Sequence, residues 1–228
     1  MRKLSCVFGV VILCSFFAVH ADAQKSMIGV RAGVNLANLS FDSTLPSGIT
    51  KSMHAGLIAG LQYDYWFDDM WAISVQALYD QKGTHLDINS NDFGFTESGT
   101  VDILPSYLEI PVLLKASFGT GTIRPYVFAG PSIGILLAAN EKVNETFTSS
   151  GISETQDTTG DIKDSLSSID FSIVAGVGVS YTLSSGTMIF LDAGYAIGIS
   201  DIDKNNSVEG GNIKTNDIRI AAGVMFPL

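Results

Sequence analysis

The chain has 228 residues, 46% of them hydrophobic, a mean hydropathy of +0.30 and a formal charge of −10. That acidity excludes general nucleic-acid binding, which draws its affinity from cationic neutralisation of phosphates. The length suits one domain, and Cys6 and Cys14 both fall within the first 23 residues, so a chain cleaved there has neither disulfide nor thiol chemistry.

Residues 1–23 read as a cleaved signal peptide: a basic start at Arg2 and Lys3, an apolar run from Val7 to Val19, and Ala21-Asp22-Ala23 as a small-x-small cleavage site. The apolar run is too short for a membrane helix, which needs ~20 residues. Val11-Ile12-Leu13 before Cys14 lacks the small residue that lipidation sites place there. Removing Arg2, Lys3 and Asp22 takes away one net positive charge, from −10 to −11. Residues 24–228 then form the barrel domain argued next.

Eight segments alternate apolar with small or polar residues: Met27 to Leu36, Ala55 to Trp66, Met70 to Lys82, Leu104 to Phe118, Ile123 to Leu137, Asp170 to Tyr181, Thr187 to Gly198 and Asp217 to Leu228. The intervening gaps are about 18, 3, 21, 4, 32, 5 and 18 residues, the alternation of long outer loops and short periplasmic turns found in outer-membrane barrels. In the first segment Ile28, Val30, Ala32, Val34 and Leu36 share one face; Gly29, Arg31, Gly33 and Asn35 share the other. In the sixth, Phe171, Ile173, Ala175, Val177 and Val179 oppose Asp170, Ser172, Gly176, Gly178 and Ser180. In the last, Ile218, Ile220, Ala222, Val224 and Phe226 oppose Asp217, Arg219, Ala221 and Gly223.

A spanning sheet must close so that each backbone N–H and C=O is paired within it, which predicts an all-β, eight-stranded antiparallel up-and-down transmembrane barrel. A soluble lipocalin-like barrel would turn its apolar face inward. Here the charged face is the narrow, glycine-rich one, whereas the aliphatic face is continuous and uncharged. Tyr63, Tyr65, Trp71, Tyr181 and Phe226 fall on the outward parity near the short-turn ends, where amphipathic rings favour the membrane interface. Pro105, Pro111, Pro125 and Pro131 each remove a ladder donor, so bulges or local gaps are expected beside them. A globular α/β fold is disfavoured because no long segment sustains a 3.6-residue apolar period.

The inward parity collects Arg31, Asp64, Asp80, Lys82, Glu109, Lys115, Arg124, Asp170, Asp192, Asp217 and Arg219. Eight strands leave an interior that side chains fill, so these are read as a structural ionic network in the lumen rather than the lining of an open channel. Ordered by height, Asp64, Arg31, Lys115 and Arg124 lie low, Glu109 and Asp192 in the middle, and the rest high. Glu109 is expected to pair with Lys115 or Arg31. No catalytic, cofactor-binding or metal residues are assigned. His54 and His85 stand at outer strand ends near Asp80 and several serines, but no ordered motif surrounds them. Asp201-Ile-Asp203-Lys-Asn205 resembles the start of a calcium loop, yet Asn206 replaces the turn glycine and Asn212 the closing glutamate, so a solvated loop is expected. The gap 138–169, rich in Ser, Thr and acid, is expected to be mobile and exposed outside the cell.

The strings IGVRAGVNLANL, YLEIPVLLK, RPYVFAGPSIGILL and DIRIAAGVMF, in that order along the chain, resemble the PorT-like or "porin family" outer-membrane β-barrel proteins of Bacteroidetes-type bacteria. The resemblance implies fold and compartment, the outer membrane of a Gram-negative bacterium; one branch is similar to a component of a secretion system for surface-exported proteins. The expected function is that of a small, non-enzymatic integral barrel with a structural or interaction role. A passive small-solute channel is the alternative and a lipid-modifying enzyme the third reading. The expected partners are outer-membrane lipid and lipopolysaccharide, with a protein partner at the outer loops, and no cofactor.

Overall fold

The computed structural model describes residues 26–41, 48–92, 95–149, 152–204 and 212–228. The signal-peptide expectation lies outside them. Ten strands follow in order: β1 (Ser26–Phe41), β2 (Ile49–Trp66), β3 (Trp71–Gln81), β4 (Thr84–Asp92), β5 (Phe95–Ser117), β6 (Ile123–Ser149), β7 (Ile152–Asp161), β8 (Ile169–Thr182), β9 (Met188–Gly198) and β10 (Ile213–Pro227). All but the polar β4 and β7 are rich in β-branched or aromatic residues set against small or polar ones, the pattern of a pleated surface packed differently on its two sides.

Eight of the strands close a ring in which β1, β2, β3, β5, β6, β8, β9 and β10 pair antiparallel in turn, and β10 returns to β1 from Met27↔Pro227 to Phe41↔Ile213. Closure leaves the ring no edge, the condition for spanning hydrocarbon. The short turns after β2, β5 and β8 all lie at the end where the Leu228 amide also donates to the Ser26 carbonyl at 3.0 Å. The long connections lie at the other end.

The outward face is the aliphatic one: Val30, Leu61, Val177, Leu191 and Ile220 are all exposed, as are Trp71, Tyr181 and Phe226 toward the short-turn end. From Phe171 to Tyr181, ten steps of ~3.4 Å tilted by ~40° span roughly 25 Å, the height of an apolar barrel belt. Inward glycines accommodate rings. A Cβ on Gly178 would lie 2.6 Å from the Tyr126 hydroxyl, and one on Gly223 would lie 2.5 Å from the Phe190 ring.

The periplasmic strand ends fall within a residue or two of the sequence reading, but the outer ends do not. β5 has 23 residues and β6 has 27, where 15 or fewer were expected of each. Two of the presumed long loops are largely β-structure. β4 continues β3 past Lys82-Gly83, keeping its register with β5, while one extra residue on β2 shifts the pairing from Ile58↔Asp80 to Met53↔Thr84. In the stretch expected to be a mobile loop, β6 and β7 pair regularly from Asn140↔Asp161 to Ser149↔Ile152. The correction has a physical cause: barrel strands already in register template the hairpins, so each further pair adds hydrogen bonds without a new loop-closure cost. The outer ends of β2, β4, β5 and β6, together with β7, thus form a sheet that rises above one side of the barrel.

Among the prolines, Pro105 adjoins a β-bulge. Ser106 faces Ala138 and Tyr107 faces Leu136, so Leu137 is the extra residue and β6 changes parity there. The β6–β8 register runs unbroken through Pro125↔Val179 and Pro131↔Ile173. Those prolines need no bulge on that side, because a strand residue's N–H serves only one neighbour.

Candidate functional site

The lumen of the barrel is its most elaborate region, and its lower half begins with an aromatic and aliphatic plug. Trp66, Tyr126, Phe128 and Phe190 are buried with Met27, Met188 and Met225. Above and among them, the Arg31 guanidinium meets Asp192 at 2.7 Å and donates to Gln62 Oε1 at 3.1 Å; Gln62 in turn donates to Asp64. Lys115 Nζ lies 3.2 Å from Asp64 and 4.0 Å from the Tyr126 ring centroid, while the Tyr126 hydroxyl donates to Asp192 at 3.0 Å. Two cations thus face two carboxylates here.

The upper lumen is more acidic. Lys82 reaches Glu109 at 2.6 Å, Asp170 at 3.2 Å and Asp217 at 3.4 Å. Arg219 reaches Asp217 at 2.9 Å, Asp80 at 3.0 Å and Glu109 at 3.5 Å. Four carboxylates therefore share two cations, and neutral donors reach three of the four: Asn35 to Asp80 at 2.7 Å, Thr215 and Ser200 to Asp170 at 2.8 and 2.7 Å, and Ser132 to Glu109, while Asp217 relies on the two cations. Buried charge is tolerated when paired and hydrogen-bonded in this way.

All eleven residues of the expected network face inward, but their grouping differs from the sequence ordering. Glu109 pairs with Lys82 and Arg219, not with Lys115 or Arg31. Glu109 and Lys115 are six residues apart on one strand, about 20 Å, which no pair of side chains closes. Asp192 belongs to the lower cluster through Arg31. Arg124 stands at the periplasmic mouth, stacked 5.5 Å from the Trp66 ring and donating to the Asp69 carbonyl. The sequence reading placed Asn35 on the inward face without a role in the network and did not single out Gln62, Tyr126, Ser132 and Thr215. Their signal was present, since each shares the inward parity of the charges.

Between the clusters, a void of about 20 Å³ is lined by Ile58, Leu78, Leu113, Phe128 and Val174 as well as by Arg31, Asp192 and Arg219. A second, of about 10 Å³, lies beside Gln76 and Lys115. Each holds at most a single water. The outer mouth is covered by two inturned segments. Leu166 packs on Tyr107, Leu136 and Ala139, and Ile202 is fully buried. The segments join through Ser167 N–H to the Ile202 carbonyl at 2.8 Å and Lys204 N–H to the Ser165 carbonyl at 3.1 Å.

The rim histidines do not form a reactive constellation with Asp80, which is buried in the upper cluster. His85, on the outer sheet, has Nδ1 2.5 Å from Asp102 and Nε2 3.4 Å from Asp87. Its hydrogen bond to Asp102 holds the imidazolium above its ordinary range against some desolvation. Both ring nitrogens thus face carboxylates. The Asp201 carboxylate accepts from the backbone N–H groups of Asp203 and Ile213, each at 3.0 Å, a loop-closing use; Asn205 and Asn206 lie outside the described residues.

A closed ring with a lipid-facing aliphatic belt and an ion-paired, side-chain-filled lumen defines an integral β-barrel of the bacterial outer membrane. Residues 22–204 match the outer membrane protein beta-barrel domain family, and the chain belongs to that family; it resides in the outer membrane of a Gram-negative bacterium. Among solved structures it is similar to OprG from Pseudomonas aeruginosa, with 16% identity, 90% of this chain and 97% of that one covered, and a TM-score of 0.42. It is also similar to neisserial surface protein A, at 13% identity, 88% and 97% coverage and a TM-score of 0.40. The attachment invasion locus protein Ail of Yersinia pestis is 15% identical over 89% of this chain and 99% of that one, with a TM-score of 0.35. No curated protein sequence matches.

Proposed function

We propose that this protein is a non-enzymatic outer-membrane platform, whose filled barrel anchors an outer β-sheet that meets a protein partner. The observation that carries the reading is the asymmetry between the two halves of the molecule. The lumen is occupied by paired charges and an aromatic plug and covered by Leu166 and Ile202, while β4 to β7 extend well beyond it. The lumen network is structural on this reading: it holds the barrel shape and conducts nothing, because the voids left between its side chains, of about 20 and 10 Å³, admit no more than a single water each. Lipid and lipopolysaccharide surround the belt. The strings LEIP and PY-x-FAGP favour the PorT-like branch, with a secretion-accessory role for the outer sheet.

Planar-bilayer recording on the purified barrel tests the reading against a passive channel. Electrical silence is expected, and a steady unitary conductance would replace the platform with a pore. Deleting the gene in its host tests the secretion branch, through loss of surface-exported proteins from the cell envelope.

A further inference from the structure

We infer that the free edge of β7 is a docking site for an extended, cationic peptide segment, which adds to the outer sheet as one more strand. The inference rests on the platform reading above and names the partner's chemistry. Among the described residues β7 pairs with β6 alone, over all ten of its positions and without a bulge. Its other edge therefore has no strand partner among the described residues, and residues 155–159 and Asp161 are exposed. Natural edge strands are commonly blunted by charged side chains, lysine above all, by proline or by a bulge, and acidic charge of that kind repels all but a cationic strand. β7, with the sequence ISETQDTTGD, has no lysine, proline or bulge, and its threonines favour the extended conformation.

The charge on this edge selects the occupant. Glu154, Asp157 and Asp161 are its charged residues, and all three are acidic. Thr155, Asp157, Thr159 and Asp161 share one face, where they stand opposite Thr146, Asn144, Lys142 and Asn140 of β6. The Asn144 amide donates to the Asp157 carboxylate and fixes it on that face. Lys142 is exposed on β6, one strand in from the free edge, with Asp102 as its register neighbour on β5. The ammonium of nearby Lys163 is bound to the Leu137 carbonyl at 2.7 Å. A second copy of the chain would place like charges opposite one another across the new ladder, which is destabilising. A strand with Lys or Arg at positions i and i+4 would instead meet Asp157 and Asp161 while its backbone completes the ladder.

The test uses the full barrel in detergent micelles and a fluorescent peptide of about ten residues, alternating Lys with Thr or Val, read by anisotropy. Two controls separate strand addition from charge attraction: the same peptide with alternate backbone amides N-methylated, and the Asp157→Lys/Asp161→Lys variant. Binding of the unmodified peptide is expected, weakened by about tenfold or more by each control. Heat-modifiable migration of the variant shows that its barrel is intact. Equal binding of the N-methylated peptide overturns the inference in favour of diffuse electrostatics. Absence of binding by the unmodified peptide, or a stable dimer joined through β7, also overturns it. A conducting barrel that binds the peptide would keep this inference and sink the platform reading, whereas a silent barrel that ignores the peptide would do the reverse.

Discussion

Replacing Lys82 by Met keeps the length and bulk of the side chain but removes the ammonium that three carboxylates share at 2.6, 3.2 and 3.4 Å. At an effective dielectric of ~20, each such contact has a gross Coulomb energy of roughly 5 kcal/mol. Relief of the lysine's own desolvation offsets much of this, and removal of one partner from a buried ionic group costs ~3–5 kcal/mol net. The larger part of the loss comes from four carboxylates left with Arg219 as their one close cation among the described residues. Urea unfolding in detergent micelles, followed through Trp66 and Trp71 fluorescence, should show the midpoint falling by the corresponding amount. Adding Glu109→Gln to K82M removes one excess negative charge and should restore part of the loss. An unchanged midpoint for K82M, or a double variant weaker than K82M, would refute the account of the lumen as a charge-balanced plug.

On the lipid face, Val177→Arg should cost about 2–4 kcal/mol in the same unfolding assay, whereas inward Ser180→Thr should be nearly neutral. Gly178→Val should destabilise by about 1–3 kcal/mol, because its side chain would occupy the space of the Tyr126 ring and break the bond to Asp192. A variant with its Tyr126 environment unchanged by NMR would contradict that. His85 should titrate above its ordinary value of ~6.5, and Asp102→Asn should bring it back down, as read from the imidazole C–H resonance. Because the folded value is raised, the link between β4 and β5 is fully present below the unfolded value. It fades as pH rises through the folded one, so hydrogen exchange in that hairpin should quicken on the alkaline side.

Much of this protein was legible along the chain because strand parity is a local property. A period of two, written in Ile28, Val30 and Val34 against Arg31 and Asn35, states which side meets lipid without reference to any other strand. The same parity pointed each of the eleven charged residues inward, and the short turns marked the periplasmic ends. Partner choice is not local. Whether Glu109 meets Lys82 and Arg219 or Arg31 depends on the stagger between neighbouring strands around the ring, which alternation within a single strand does not encode. The outer sheet was likewise hidden, since the polar composition of β7 resembles that of a solvated loop. What makes it a strand is the template offered by β6, itself extended from a closed barrel, and that template exists only once the whole ring has formed.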